Sequence, residues 1–260
     1  AKGIYFFDEM QNIKGWERHV RTLVDNGEKV IITGSNASMM SRELGTHLTG
    51  RHLSYELYPF SYKEFLKLKK KKHSVVNFEE YLKKGGFPEF LKSDDTDILR
   101  NLFQDIFYRD VLNRNDLRNE TAIKSLLHYL ISNIGKETSY NKLKELIKVG
   151  SGNTISQFIN HFEQAYLLFS IPRFDFSLKK QMVNPKKIYC IDNAIIGRNA
   201  FSFSENKGRL IENLVFIELK RREKEIFYHK IKSECDFLVY NGKKITEAIQ
   251  VCLKLDIYNK

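Results

Sequence analysis

Apolar and polar positions follow two rhythms along this chain. Ile4-Tyr5-Phe6-Phe7 is a run of four large apolar residues, and residues 29–33 (KVIIT) form a second, β-branched run. Continuous runs of this kind predict parallel strands covered on both faces. Between them, residues 15–25 (GWERHVRTLVD) place Trp16, Val20, Leu23 and Val24 at helical spacing, and Asn26-Gly27 marks a turn. Residues 52–57 (HLSYEL) alternate with a period of two and predict another strand. Strands alternating with helices over residues 1–58 predict an α/β doubly wound sheet.

Pro59 ends that pattern. Helical spacing runs from residue 61 to about 91, interrupted by Gly85-Gly86-Phe87-Pro88, and resumes over 96–112. Three short helices are predicted at 121–134, 139–148 and 154–163, followed by an apolar strand-like run at 165–171 (AYLLFSI). Three helices and then a strand hairpin is the order of a winged helix. Ser139 and the group Ser151, Asn153 and Thr154 are candidate N-caps for its second and third helices. From about 185 the chain predicts a strand (187–192), a helix (210–222) and three more strands (225–229, 236–240 and 245–253). Asn241-Gly242 joins the last two as a hairpin. The expected segments are 1–58, 59–119, 120–184 and 185–260.

Composition narrows the class. Hydrophobic residues make up 42% of the 260 and aromatics 13%, enough for packed cores. No apolar run approaches the ~18 residues that span a bilayer, so no membrane contact is expected. Cys190, Cys235 and Cys252 lack metal-type spacing, and a reduced, cytoplasmic protein is the expectation. The net charge of +11 permits DNA or another polyanion as a partner without requiring one. Its densest stretch, residues 63–72 (KEFLKLKKKK), reads most simply as a solvated helix end.

The chemistry concentrates at the first strand, which ends in Asp8-Glu9. In nucleotide hydrolases such a strand end places one acid beside the Mg²⁺ of bound nucleotide, and the next acid acts on the attacking water. The second strand exits through Thr33-Gly34-Ser35-Asn36, polar residues on the neighbouring strand, and Leu48-Thr49-Gly50-Arg51 follows. Arg51 on its own reads as a surface residue near a turn. The phosphate-cradling loop G-x-x-x-x-G-K-[ST] does not occur in these 260 residues, and Gly135-Lys136-Glu137-Thr138 is no substitute for it.

Together IYFFDEMQ, VIITGSN and LTGR resemble the second half of an AAA-type ATPase. With Leu57-Tyr58-Pro59-Phe60-Ser61-Tyr62-Lys63-Glu64-Phe65 and Tyr108-Arg109-Asp110, they resemble a prokaryotic family of such ATPases with a C-terminal domain of unknown function. The resemblance covers nearly the whole chain. It implies Mg²⁺ at Asp8, general-base work at Glu9, γ-phosphate sensing by Ser35 and Asn36, and an arginine finger at Arg51. That finger would act within one subunit or across a homo-oligomer interface. The family's phosphate loop lies well upstream of the acid pair, so the expectation is the C-terminal part of a longer ATPase that binds ATP and Mg²⁺ through that loop.

A second order of residues lies near the C-terminus. Glu212 falls on a helix, Asp236 on a strand, and Gln250 and Cys252 on the next strand. This resembles the PD-(D/E)xK nuclease fold, in which residues i and i+2 of the last strand share a face as an acid and a lysine. Gln250 and Cys252 stand at those two positions. A glutamine is a poor Mg²⁺ ligand and a cysteine lacks the lysine charge, so the expected site is a dismantled one. In the winged-helix-like stretch, Asn153, Thr154, Ser156, Gln157 and Asn160 would face a groove, with Lys142, Lys144 and Lys148 nearby. The expected fold is thus α/β (the second half of a P-loop ATPase), then a helical and winged-helix-like module, then a small α/β nuclease-like domain. The alternative to ATP hydrolysis is a module that binds nucleic acid or protein without catalysis. A weaker alternative is a metal-dependent nuclease.

Overall fold

A parallel pairing opens the structure. β1 (Ile4–Phe7) lies beside β2 (Lys29–Ile32) in the register Ile4↔Lys29 to Phe7↔Ile32, and α1 (Trp16–Asp25) is the crossover. The computed structural model describes residues 3–10, 13–35, 52–199, 207–231 and 233–253. Phe7, Val24, Val30 and Ile32 pack around Met10, Trp16 and Val20. Ile4, Phe6 and Ile31, on the opposite face, are 57%, 72% and 49% exposed. The expected burial on both faces is therefore not found among the described residues. One crossover helix covers only one side of a two-stranded sheet. Residues 52–57 also depart from expectation, forming no strand. Leu53, Tyr55 and Leu57 point into solvent. Alternation alone does not make a strand when no neighbour supplies the ladder.

The helical segment begins at α2 (Tyr62–Leu68), which starts with a capping box. The Ser61 hydroxyl accepts from the Glu64 amide, and the Glu64 carboxylate accepts from the Ser61 amide. α3 (Val75–Lys84) is capped by Ser74, and α4 (Pro88–Ser93) starts with proline in its first turn. α5 (Thr96–Asp105) runs into a wider, π-helical stretch, Ile106–Asn113. The lysine run at 63–72 meets acids of its own segment: Lys69 pairs with Asp94 at 3.8 Å, and Lys71 pairs with Glu80.

Next come α6 (Glu120–Ser132), β3 (Glu137–Thr138), α7 (Tyr140–Ile147), α8 (Gly152–Gln164), β4 (Leu168–Pro172), α9 (Leu178–Val183) and β5 (Lys186–Cys190). Ser151 caps α8 through the Thr154 amide at 3.2 Å, whereas Ser139 makes no side-chain cap. β5 is the middle strand of an antiparallel sheet in the order β3-β5-β4. The expected boundary at 184/185 therefore falls inside this sheet. α10 (Asn193–Asn199) and α11 (Lys207–Arg221) lead to an antiparallel meander of β6 (Glu225–Lys230), β7 (Glu234–Tyr240) and β8 (Ile245–Ile249). A hairpin at Asn241-Gly242 joins the last two strands, as the sequence predicts.

One hydrophobic core runs from Phe103 and Phe107 through α6, α8, β4 and β5 to Phe216, Tyr228 and Phe237. Tyr189 stacks on Phe216 at 4.4 Å. The last two expected segments thus share a core, because burying β5 on both sides takes apolar faces from each. Among the described residues no helix is long and apolar enough to cross a membrane.

The helical segment is pinned to the end of β5 at a close approach. Gly86 N–H and Ala194 N–H donate to the two oxygens of the buried Asp192, at 2.7 and 2.8 Å. A Cβ on Gly85, whose φ is +66°, would sit 1.7 Å from that carboxylate, and one on Gly86 would sit 2.2 Å from the Phe60 carbonyl oxygen. Only glycine allows the two chains to meet here.

Burial pushes the Asp192 carboxyl up to about 7, against the lowering effect of the Ala194 and Gly86 amides. A free aspartate titrates near ~3.9. Between those values the folded chain holds the proton that the unfolded chain releases. Stability drawn from this group therefore falls as pH rises from about 4 to 7. Asp192→Asn is expected to flatten that part of the profile. It should also cost about 1–3 kcal/mol at pH 5, because one amide loses its acceptor. Urea unfolding midpoints from pH 4.5 to 8 give the comparison, and parallel profiles for the two proteins would refute this role.

Candidate functional site

The parallel register brings the exits of β1 and β2 together. The Thr33 amide donates to the Phe7 carbonyl at 2.9 Å, one step past the ladder. Beyond it, the Thr33 hydroxyl donates to Asp8 Oδ1, and the Ser35 hydroxyl donates to Glu9 Oε2 at 3.2 Å. Glu9 has a φ of +50°, a left-handed conformation uncommon for a residue with a side chain. Such backbone strain persists where surrounding contacts enforce it. Asp8, Glu9, Thr33 and Ser35 thus form one oxygen-rich edge. Asn36 and Arg51 lie outside the described residues.

A cationic group from the helical segment faces this edge. In the π-helical turn the Arg114 amide reaches the Arg109 carbonyl five residues back. Arg109 and Arg114 both grip the buried Asp110: Arg109 through Nε at 3.2 Å and Nη2 at 3.0 Å, Arg114 through Nη2 at 2.8 Å. The same Arg114 nitrogen donates to the Ser35 hydroxyl at 3.4 Å. Among the described residues, Arg114 Nη1 is buried without a hydrogen-bond partner. The Asp110 hydrogen bond and charge hold the Arg109 guanidinium above its ordinary value, and Glu9 adds to that.

The C-terminal set also meets. Glu212 on α11 and Asp236 on β7 converge on an ammonium that the sequence reading did not assign, that of Lys187 on β5. Its Nζ lies 3.1 Å from Glu212 Oε1, 2.9 Å from Glu234 Oε1 and 3.1 Å from Asp236 Oδ1. Lys187 is 1% exposed. Gln250 Nε2 and the Val251 amide donate to the other Asp236 oxygen, at 2.8 and 2.9 Å. The Tyr189 hydroxyl donates to Glu212 at 2.7 Å. Cys252 is exposed.

Burial works to lower the Lys187 value, but the Glu234 hydrogen bond and the charges of Glu212 and Asp236 outweigh it and hold the ammonium protonated. Burial raises Glu212, opposed by Lys187. Burial also acts to raise Glu234, but Lys187 and Lys230 outweigh it and bring the carboxyl down.

Beside this cage, Asn213 spans the end of β5. It accepts from the Cys190 amide at 2.8 Å and donates to the Cys190 carbonyl and to Asn193 Oδ1, each at 3.0 Å. Burial pushes the Cys190 thiol up to about 12.

The sequence contained signals for some of these partners. Lys187 and Tyr189 stand two apart on a strand and so share a face, which placed a lysine among buried side chains. Asp110 and Arg114 have the i, i+4 spacing of a helical ion pair. Nothing local marked the reach of Arg114 to Ser35, 79 residues away.

Residues 75–205 match the family described as a domain of unknown function (DUF8612), and residues 1–66 match an AAA domain. The first of these covers half of the chain, and the chain belongs to that family. It is AAA-like at its N-terminal end, with the domain of unknown function following. It is similar over 98% of its length to "Uncharacterized protein MJ1544" of Methanocaldococcus jannaschii, at 39% identity. It is similar over 98% of its length to an "Uncharacterized protein" of Haemophilus influenzae, at 32% identity. "Uncharacterized protein MJ1637" of M. jannaschii is 23% identical over 97% of the chain. The chain spans 62%, 66% and 62% of the lengths of these three relatives.

Asp110 balances two guanidinium groups, one of them exposed. Asp110→Ala is expected to lower stability by about 2–3 kcal/mol, below the usual loss for a fully buried pair because Arg109 keeps its hydration. Chemical unfolding of the variant measures this, and a loss under about 0.5 kcal/mol would show that the arginines do not depend on it.

Proposed function

We propose that this chain supplies the hydrolytic edge of an AAA-type ATPase and couples that edge to its C-terminal modules. The carrying observation is the meeting of Asp8, Glu9, Thr33 and Ser35 at one end of the β1–β2 pair, with Arg114 seated against Ser35. The donor set fits the groups that such a reaction needs. Carboxylate and hydroxyl oxygens suit a hard cation such as Mg²⁺, and a half-buried guanidinium whose Nη1 has no partner among the described residues suits a phosphate.

In this reading Asp8 would hold Mg²⁺, and the ion supplies positive charge beside the phosphate oxygens. Thr33 fixes the Asp8 carboxylate by donating to it. Glu9 takes a proton from the attacking water, and Ser35 orients Glu9. Arg114 reports on the Ser35 side of the site, because it shares its guanidinium between Ser35 and Asp110. Asn36 and Arg51 keep their proposed roles in phosphate sensing and charge neutralisation. The phosphate-cradling loop belongs, in this proposal, to the part of the protein that the longer relatives carry. The exposed face of Ile4, Phe6 and Ile31 offers further strands a seat.

The modules that follow are proposed as the output. α6-β3-α7-α8-β4-α9-β5 follows the order of a winged helix with a short helix, α9, set between its last two strands, and the sheet order, β3-β5-β4, fits that reading. An open polar groove between α8 and the sheet is lined by Asn153, Ser156, Gln157, Asn160 and Lys186. It favours a polar partner, nucleic acid or protein, and it supports the second reading of the chain as a binding module.

The deciding measurement is ATP turnover by the native gene product and its Glu9→Gln variant. Loss of the general base should reduce kcat by roughly 10²–10⁴ while nucleotide binding persists. Equal turnover in the two proteins would remove Glu9 from the reaction. Absence of both turnover and binding in the native protein would leave the binding-module reading.

A further inference from the structure

The C-terminal carboxylates stand where the nuclease-like order of residues places the ligands of a divalent cation, yet they do not fit one. Among the described residues no group of three or more His, Cys, Asp or Glu side chains is arranged to hold a metal. The centre toward which they point is taken by Lys187 Nζ. The three contacts, at 2.9 to 3.1 Å, have the length of N–H···O hydrogen bonds. Mg²⁺ binds oxygen at about 2.0–2.1 Å and Ca²⁺ at about 2.3–2.6 Å.

The arrangement is complete for an ammonium. Lys187 has three protons to give, and Glu212, Glu234 and Asp236 each receive one. Two of the three remaining oxygens are also answered. Asp236 Oδ2 accepts from Gln250 and Val251, and Glu234 Oε2 pairs with Lys230 at 3.3 Å. β8 ends at Ile249, short of the expected 253, so Gln250 and Cys252 lie past the strand, and Gln250 acts as a hydrogen-bond donor where the nuclease-like order of residues places a metal-binding acid. A cation at this centre would meet an amide nitrogen there instead of a carboxylate.

The origin of the lysine matters as much as its charge. Lys187 comes from the central strand of the β3-β5-β4 sheet, whereas the carboxylates come from α11 and the β6-β7-β8 meander. A metal ion would join only the carboxylates to one another. The ammonium joins them to the sheet that precedes them.

We infer that Lys187 is the resident cation of this cage, so that the C-terminal module carries an ionic latch to the preceding sheet in place of a divalent-cation site. It depends on no ATPase chemistry, and its test is independent of turnover.

The experiment compares thermal unfolding of the native protein, Lys187→Met, Glu212→Gln and the double variant, each with EDTA and with Mn²⁺. Any movement of the midpoint with Mn²⁺ should be the same in the native protein and in Asp236→Asn, and Mn²⁺ titration by calorimetry should show no site abolished by Asp236→Asn. Lys187→Met keeps the apolar stem and leaves Glu212 and Asp236 without their cation, while Glu234 keeps Lys230. Its midpoint should drop by at least about 5 °C. Adding Glu212→Gln should recover part of that loss, since it removes one of the uncompensated charges. Lowering the pH from 8 to 5 should favour Lys187→Met over the native protein. If Lys187→Met fails to fold alone, folding of the double variant would still show the charge coupling. Stoichiometric Mn²⁺ binding to the native protein, lost in Asp236→Asn, would overturn the inference. So would additive losses in the two single variants, which would reduce Lys187 to a packing residue.

Discussion

The end of β5 imposes the constraint on which the rest of the structure depends. Over seven residues the chain buries an ammonium (Lys187), a carboxylate (Asp192), an amide side chain (Asn193) and both peptide groups of Cys190. Polar groups removed from water must be answered inside the protein or cost more than the surrounding apolar contacts return. None of these is answered from within β5. Lys187 is met by α11 and β7, Cys190 by Asn213, and Asp192 by Gly86. Asn193 donates to the Leu82 and Leu210 carbonyls, each at 3.0 Å. The helical segment, the β3-β5-β4 sheet and the C-terminal meander are therefore fixed together by hydrogen-bond completion, and the shared aromatic core is built around that junction.

The N-terminal unit is joined differently. Its own core is small, and a polar link from it to the helical segment is the Arg114–Ser35 hydrogen bond, placed beside the candidate hydrolytic edge. The helix that carries Arg114 continues from α5, and its inner face (Phe107, Val111 and Leu112) lies in the main core. A displacement of Ser35 would thus bear on a guanidinium whose other partner, Asp110, is buried. Tight packing transmits such a shift further than a loose loop would. The π-helical turn sits between the two, and turns of this kind recur at functional sites.

Local order was legible in the sequence wherever a rhythm ran long enough. The helices at 62–68, 75–84, 120–132 and 152–164, the parallel pairing of β1 with β2 and the Asn241-Gly242 hairpin all follow from spacing and caps. Residues 52–57 show the limit, since their alternation carried no information about whether a neighbour strand pairs with them, and among the described residues none does. The junction was legible only in part. Glu212, Asp236 and Gln250 were singled out as a set, and they do converge. The cation among them comes from a strand that the pattern grouped by sequence proximity with the C-terminal segment. Sheet order is a long-range property, and the placement of β5 between β3 and β4 is set by which faces remain to be covered. For the same reason Asp8, Glu9 and Ser35 were readable from strand ends, whereas Arg114 was not.

The three cysteines acquire a use from their different surroundings. Cys252 is open to solvent, Cys235 is half-buried, and Cys190 is fully enclosed, with its backbone held by Asn213. Alkylating reagents attack the thiolate, and burial keeps Cys190 in the thiol form. Reagent reaches that sulfur only when the core around the end of β5 opens. The rate at which Cys190 is modified, relative to the always accessible Cys252, is thus a built-in clock for the opening of the junction, with no probe introduced into the chain.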